Sequence, residues 1–415
     1  MDYRIYPPEE YLEAVVNLPL SKSVANRALI MKALTPGNPQ EFALPDCDDS
    51  KAIIYALNRE PLGEINIGAA GTAMRFLTAY FSVIKESDVV LDGSERMRNR
   101  PIGPLVDALR SLGADISYVL SDGYPPLKIR GKELSGGTLS IDASVSSQYI
   151  SALMMIAPLM KNGLHLQLVG EVVSRPYILM TAKMMTDRGI EVEVDNDSVT
   201  VRPGFYEVPE GDAAEKDWSA ASYWAEIVTL AAGEVKVPGL FDDSMQGDRR
   251  LVELFEPLGL LVEEEDDELT FTVHPEVHSR INFDMSENPD LAQTVAVTAA
   301  LLRVPFTLTG LSTLRIKETD RLDALRRELD KLGYIVEITR DDSLTWEGAV
   351  HPLFEEPVID TYDDHRMAMA FAPAAIYYPG LVVKNVEVVS KSYPGFWDDL
   401  RSAGFVLEET GKQQD

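Results

Sequence analysis

The sequence predicts an α/β protein assembled from six repeated units in two lobes of three, and three observations predict it. An amphipathic helix that ends in glycine and runs into an apolar strand recurs in VDALRSLGADI, AKMMTDRGIEVEV, LVELFEPLGLLVE, LRRELDKLGYIVEI and WDDLRSAGFVLEE. The glycines are Gly113, Gly189, Gly259, Gly333 and Gly404, at intervals of 70 to 76 residues. A degenerate copy is read in IIYALNREPLGEINI, roughly 50 residues ahead of the first. A second kind of helix, apolar on most faces and therefore buried, appears six times: SVANRALIMKAL, TAMRFLTAYFSVI, SQYISALMMIAPLM, SAASYWAEIVTLAA, PDLAQTVAVTAALL and DHRMAMAFAPAAIYY. Between them lie strand-like runs such as VVLDGS, HLQLVG, FTLTG and LVVKNV. The polar, Pro- and Gly-bearing stretch YEVPEGDAAEKD, residues 206 to 217, is where the lobe is expected to change.

Taken in chain order, the helix starts share a feature. Lys22, Ser23 and Arg27 open the first buried helix, and Thr72 and Arg75 the second. Arg100 precedes Pro101, read as a first helical residue; Ser146, Ser147 and Gln148 open the third buried helix; Ser174 and Arg175 precede Pro176. Arg315, Lys317 and Arg321 crowd a helix expected to begin near Thr319, and Arg366 and Lys391 occupy late helix starts. Cations belong at the other end, because a helix N-terminus already carries about half a positive charge. Free N–H groups, hydroxyls and cations together make anion sites, so a ligand with several negative charges, phosphate and carboxylate, is expected. GAAGTA at 68 to 73 has neither the GxxxxGKS/T nor the GxGxxG pattern, and Gly71 is read as letting backbone approach a ligand. Asp217, Asp290, Glu318 and Asp364 add carboxylates to the later helix starts, where capping and proton transfer are both open readings. His365 is an orienting or proton-carrying group, or a structural one.

The bulk numbers limit the partners. A formal charge of −29 over 415 residues repels nucleic acid and acidic membranes and makes clustered Lys and Arg informative. The longest apolar run, ISALMMIAPLM, is too short to span a bilayer, and the opening MDYRIYPPEEYLEAVV lacks the basic flank of a secretory signal, so a cytoplasmic protein is expected. One cysteine, Cys47 in PDCDDSK, and five scattered histidines offer no metal spacing; Cys47 is read as structural and no metal is expected.

Together and in this order, LPLSKSVANRALI, GAAGTAMRFL, RMRNRPIGPLVDALRSLGA, SVSSQYISALMMIAP, VSRPYI, SMQGD, PDLAQT, LRIKETDRL and DDHRMAMAF resemble the 5-enolpyruvylshikimate-3-phosphate synthases. The resemblance covers about residues 15 to 395 and implies the two-lobed enolpyruvyl transferase fold of six βαβαββ-type repeats around buried helices. It implies that residues 21–215 form one lobe and residues 1–20 with 216–415 the other, the active site lying in the cleft between. It further implies the joining of shikimate 3-phosphate to phosphoenolpyruvate with release of phosphate, without metal or cofactor; a monomer is expected. By the same resemblance, Lys22, Ser23, Arg27, Ser146, Ser147, Gln148, Ser174, Asp290 and Lys317 hold shikimate 3-phosphate. Lys22, Gly71, Arg100, Gln148, Arg321, Arg366 and Lys391 hold phosphoenolpyruvate, and Lys22, Asp290 and Glu318 are the catalytic residues.

This chain departs from the family pattern at four positions: Leu20 for glycine, Ala69 for asparagine, Phe76 for proline and Thr313 for asparagine. Weaker phosphoenolpyruvate binding and an altered response to glyphosate are expected, with the reaction type retained. The departures also leave open a non-catalytic phosphometabolite-binding protein. The related UDP-N-acetylglucosamine enolpyruvyl transferases use a loop cysteine, and Cys47 sits in no corresponding motif.

Overall fold

The structure, a computed structural model, describes residues 1–37, 46–208, 215–353 and 355–410. Within the stretch 206–217, residues 209–214 lie outside the described residues. The chain packs as two compact units, one of Lys22–Ala214 and one of Met1–Ser21 with Glu215–Asp415.

Both units are built from one pattern. A strand leads into a buried helix and returns as a parallel neighbour; an outer helix follows, and then an antiparallel hairpin whose second strand pairs back onto the returned strand. In the unit Lys22–Ala214 this gives the sheet Leu62–Asn66, Asp88–Asp92, Leu127–Arg130, Asp115–Tyr118 in spatial order, and the sheet Gly137–Asp142, Leu164–Val169, Ser198–Val201, Val192–Val194. The third copy here has the buried helix Lys22–Leu34 and the outer helix Asp48–Leu57, without a sheet of its own among the described residues. That is why its glycine differs: Gly63 lies inside the strand Leu62–Asn66, and Asn58 ends the helix instead.

The other unit has three complete copies. Ile281–Asp284, Phe306–Thr309, Ser343–Trp346 and Glu337–Thr339 form one sheet from contiguous sequence. The remaining two borrow from the N-terminus. Asp2–Tyr6 is held between Leu381–Val383 and Val406–Thr410, antiparallel to both, while Glu13–Val15 runs parallel to Glu234–Pro238 and completes the sheet with Glu268–Val273 and Leu260–Glu265. Val358–Ile359 is the parallel edge of the first of these.

The outer helices carry one apolar stripe and stop where glycine permits a left-handed turn: Gly113, Gly189, Gly259, Gly333 and Gly404 all have positive φ, between 81° and 103°. The inner helices have no polar face because they pack on one another. Trp218–Ala231, Ala292–Leu301 and His365–Phe371 form the centre of one unit, with Trp218 and Trp224 fully buried. Lys22–Leu34, Gly71–Val83 and Ser147–Ile156 do the same in the other. Among the described residues no helix is long and apolar enough to cross a membrane.

Ile5, in the middle of the strand Asp2–Tyr6, is fully buried and belongs to the same core as the three inner helices. Ile5→Ala should cost about 2–5 kcal/mol of stability, the usual penalty for an aliphatic core truncation that leaves a cavity. A urea titration reporting a lowered midpoint with unchanged slope checks it; no shift would mean that the strand is not integral to the unit.

Candidate active site

Inner helices that pack side by side bring their first turns together, and that is where the predicted residues gather. In the unit Met1–Ser21 with Glu215–Asp415, the central group is Arg321, buried to 2% exposure at the start of the helix Arg321–Lys331. Its Nε donates to Asp364 Oδ2 at 2.7 Å, Nη1 to Asp290 Oδ1 at 2.8 Å, and Nη2 to Glu318 Oε2 at 2.8 Å and Asp364 Oδ1 at 3.2 Å. Asp290 is shared: Lys317 Nζ lies 3.2 Å from Oδ1 and Arg366 Nη2 3.3 Å from Oδ2. Arg366 also donates to Ser219 Oγ at 3.3 Å, and Ser219 in turn donates to Asp248. Lys391 Nζ donates to the carbonyl of Asp363 at 2.9 Å.

These contacts separate the four carboxylates that look alike in sequence. Asp217 and Asp364 are N-caps, accepting from the amides of Ser219 and Ala220 and of Arg366 respectively. Asp290 sits in the turn Pro289–Leu291 ahead of the helix Ala292–Leu301, caps nothing, and gives both oxygens to cations. Glu318 lies between the turn Ser312–Ile316 and the cap residue Asp320, bonded to Arg321. The helix therefore begins two residues after Thr319, because the Asp320 carboxylate accepts from the amide of Asp323.

Electrostatics follow from this packing. Burial raises the Asp290 carboxyl, but Lys317, Arg366 and Arg321 outweigh it and hold the group far below the usual carboxylate range. Burial lowers Lys317; Asp290 opposes that fall and Arg321 adds to it, leaving the amine below the ordinary lysine value. Burial also pushes up the Asp248 carboxyl, against Arg366 and Ser219. Among the described residues no group of three or more His, Cys, Asp or Glu could hold a metal ion.

In the unit Lys22–Ala214 the gathering is of cations and hydroxyls. Arg75 Nη1 donates to the carbonyl of Gly71 at 3.1 Å and to Gln148 Oε1 at 3.0 Å, while Gln148 Nε2 reaches Thr72 Oγ1 at 3.5 Å, so two inner helices meet at their first turns. A Cβ on Gly71 would collide with the Arg100 guanidinium and come within 3.0 Å of Arg75 Nη1. Lys22 Nζ pairs with Asp49 Oδ2 at 3.1 Å. Ser146 caps its helix by accepting from the amide of Gln148, Ser147 is buried, and Ser174 stands before Arg175 at φ 55°. The carbonyl of Ser23 accepts from Arg27, which lies deeper, among Thr181 and Ser151.

Two helix starts differ from the sequence reading. Pro101 is not a first helical residue: the helix is Gly103–Ser111, because Ile102 stands outside helical geometry at φ −136°, where the amides of Ile102 and Gly103 both donate to the carbonyl of Gly123. Lys391 ends the 3₁₀ turn Val386–Lys391 instead of opening a helix, and the next helix, Phe396–Ser402, starts after Gly395. Sequence reasoning passed over Asp49 and Asp248, which orient Lys22 and Ser219. Only the acidic pair in PDCDDSK and the motif SMQGD hinted at them. Asn66 was also passed over: its Oδ1 accepts from the amide of Gly68 and fixes the turn before Gly71, in which Ala69 is exposed. Cys47 is buried, its thiol raised chiefly by burial, and contacts Ser50 Oγ at 3.3 Å.

A family model described as EPSP synthase (3-phosphoshikimate 1-carboxyvinyltransferase) matches residues 59–400. A 3-phosphoshikimate 1-carboxyvinyltransferase of Bacteroides fragilis is 49% identical over 411 residues, covering 98% of this chain and 99% of that protein. One of Sulfurovum sp. is 38% identical, covering 95% and 97%. Among solved structures, an EPSP synthase from Acinetobacter baumannii superposes with a TM-score of 0.77 at 20% identity, over 98% of this chain and all of that one, a likeness of fold. With its motifs, its fold and relatives matched along nearly its whole length, the chain belongs to the EPSP synthase family, the 3-phosphoshikimate 1-carboxyvinyltransferases.

Proposed function

We propose that this chain transfers the enolpyruvyl group of phosphoenolpyruvate to the 5-hydroxyl of shikimate 3-phosphate and releases phosphate. The observation that carries the reading is Asp290. Its carboxylate joins Lys317, assigned to shikimate 3-phosphate, to Arg321 and Arg366, assigned to phosphoenolpyruvate. A base placed between the two ligands' cations is where a hydroxyl of one must attack the other.

Ser23, Arg27, Ser146, Ser147, Gln148, Ser174 and Lys22 join Asp290 and Lys317 on shikimate 3-phosphate. Gly71, Arg100, Gln148 and Lys22 join Arg321, Arg366 and Lys391 on phosphoenolpyruvate. The 5-hydroxyl oxygen attacks C2 of phosphoenolpyruvate and gives its proton to Asp290, while Glu318 or Lys22 delivers a proton to C3. The tetrahedral adduct then loses phosphate from C2 and a proton from C3, restoring the enol ether. Asp290 is a weak base in this cluster, so it takes the proton only as C–O bond formation makes the hydroxyl acidic. The surrounding cations stabilise charge that develops on the leaving phosphate.

Phosphate release from phosphoenolpyruvate, with and without shikimate 3-phosphate, tests the reading. Release that depends on both substrates is expected. Absent release with both ligands bound would leave a binding protein. Gly71→Ala should raise KM for phosphoenolpyruvate about ten- to hundredfold, the loss of one charge-assisted bond from the displaced Arg100, with KM for shikimate 3-phosphate nearly unchanged. Because Lys317 is depressed, it loses its charge as pH rises, starting below the ordinary lysine value of 10.5. The kcat/KM for shikimate 3-phosphate should therefore fall on the alkaline side from a pH below that value, since this ratio reports the free enzyme. Lys317→Arg should remove that limb; an unchanged limb would exclude Lys317 as its source.

A further inference from the structure

Arg27 is 2% exposed, and among the described residues no carboxylate pairs with it. Its Nε donates to Thr181 Oγ1 at 2.7 Å, Nη1 to the carbonyl of Ser23 at 3.0 Å and Nη2 to Ser151 Oγ at 3.0 Å. These acceptors are neutral, and the hydroxyls of Ser151 and Thr181 are 2.9 Å apart, tied to each other. Burial without an acid lowers the guanidinium to about 10. A buried cation of this kind is normally costly, and the remaining compensation comes from aromatic faces. Its Cζ lies 5.3 Å from the ring centroid of Phe76 and 5.8 Å from that of Tyr177, both within cation–π range.

We infer that Phe76 is a positioning residue for shikimate 3-phosphate, its ring and that of Tyr177 fixing the Arg27 guanidinium where it can receive the anionic substrate. The arrangement explains why the cation has no resident acid. A carboxylate beside Arg27 would neutralise it before substrate arrived, whereas a ring face holds the cation's orientation and leaves its net charge available. Phe76 is itself fully buried in the helix Gly71–Val83, whose first turn carries Gly71 and Arg75. Its ring lies under the Arg27 guanidinium, so it acts through that cation. The inference rests on the assignment of Arg27 to shikimate 3-phosphate.

The experiment measures KM for each substrate in Phe76→Leu and in full-length protein carrying mono-, di- and trifluorophenylalanine at position 76. The fluorinated rings keep nearly the same shape and withdraw charge from the ring face. Leu should raise KM for shikimate 3-phosphate about three- to thirtyfold, the value of one desolvated cation–π contact, and the fluorinated series should raise it stepwise. KM for phosphoenolpyruvate and kcat should stay within about twofold. Equal changes in both KM values, or a series flat in fluorine content, would overturn the inference; the fluorinated proteins decide the matter even if Leu impairs folding. Arg27→Lys is the control for the underlying assignment. If it raises KM for shikimate 3-phosphate while the Phe76 variants do not, the Phe76 role falls and the assignment stands. If it leaves that KM unchanged, both fall, while phosphate release by the unsubstituted protein still judges the reaction itself.

Discussion

Four hydrogen bonds from one buried guanidinium organise the larger unit. Arg321 opens one helix, yet its partners come from the turn ahead of Ala292–Leu301, from the segment before its own cap, and from the cap of His365–Phe371. Three carboxylates around one arginine would be untenable alone; Lys317 and Arg366 on the outer side of Asp290 restore the balance. Taking so many charges out of water is expensive, and it is offset only when geometry satisfies nearly every donor. Removing any member leaves a buried charge unmatched, so the cluster is rigid as a set rather than pair by pair.

The two units solve the problem of holding anions in different ways. One fixes its cations with carboxylates, which orient lysine and arginine side chains but spend their charge. The other pairs Lys22 with Asp49 but sets Arg27 among hydroxyls and rings, and turns Arg75 onto Gln148 and the Tyr149 ring. In a chain with a formal charge of −29, the second way leaves more positive potential for a ligand.

The repeat was legible because its causes are local. Glycines at positive φ and helices without a polar face leave marks within a dozen residues, and both kinds fall where the sequence places them. The family motifs were legible for the same reason. The fates of Asp217, Asp290 and Asp364 were not, since capping and ion pairing favour the same residue at the same position, and only the partner distinguishes them. The helix start was misread at Pro101 because the non-helical turn at Ile102, held to the distant Gly123, leaves no local mark, and Asp49 and Asp248 were missed because their partners, Lys22 and Ser219, stand some 27 to 29 residues away in the chain. Phe76 reads in sequence as one more apolar residue of a buried helix; its cation lies on another helix altogether.

The strand Asp2–Tyr6 has a consequence for how the protein is made. It leaves the ribosome some 375 residues or more ahead of both of its neighbours, Leu381–Val383 and Val406–Thr410. The unit Lys22–Ala214 is continuous in sequence and can close while translation proceeds, whereas the other must keep the strand Asp2–Tyr6 waiting until those neighbours are made. Closing that sheet joins segments some 375 residues apart, a long loop to close, and until it closes Leu381–Val383 and Val406–Thr410 lack the strand that pairs with both.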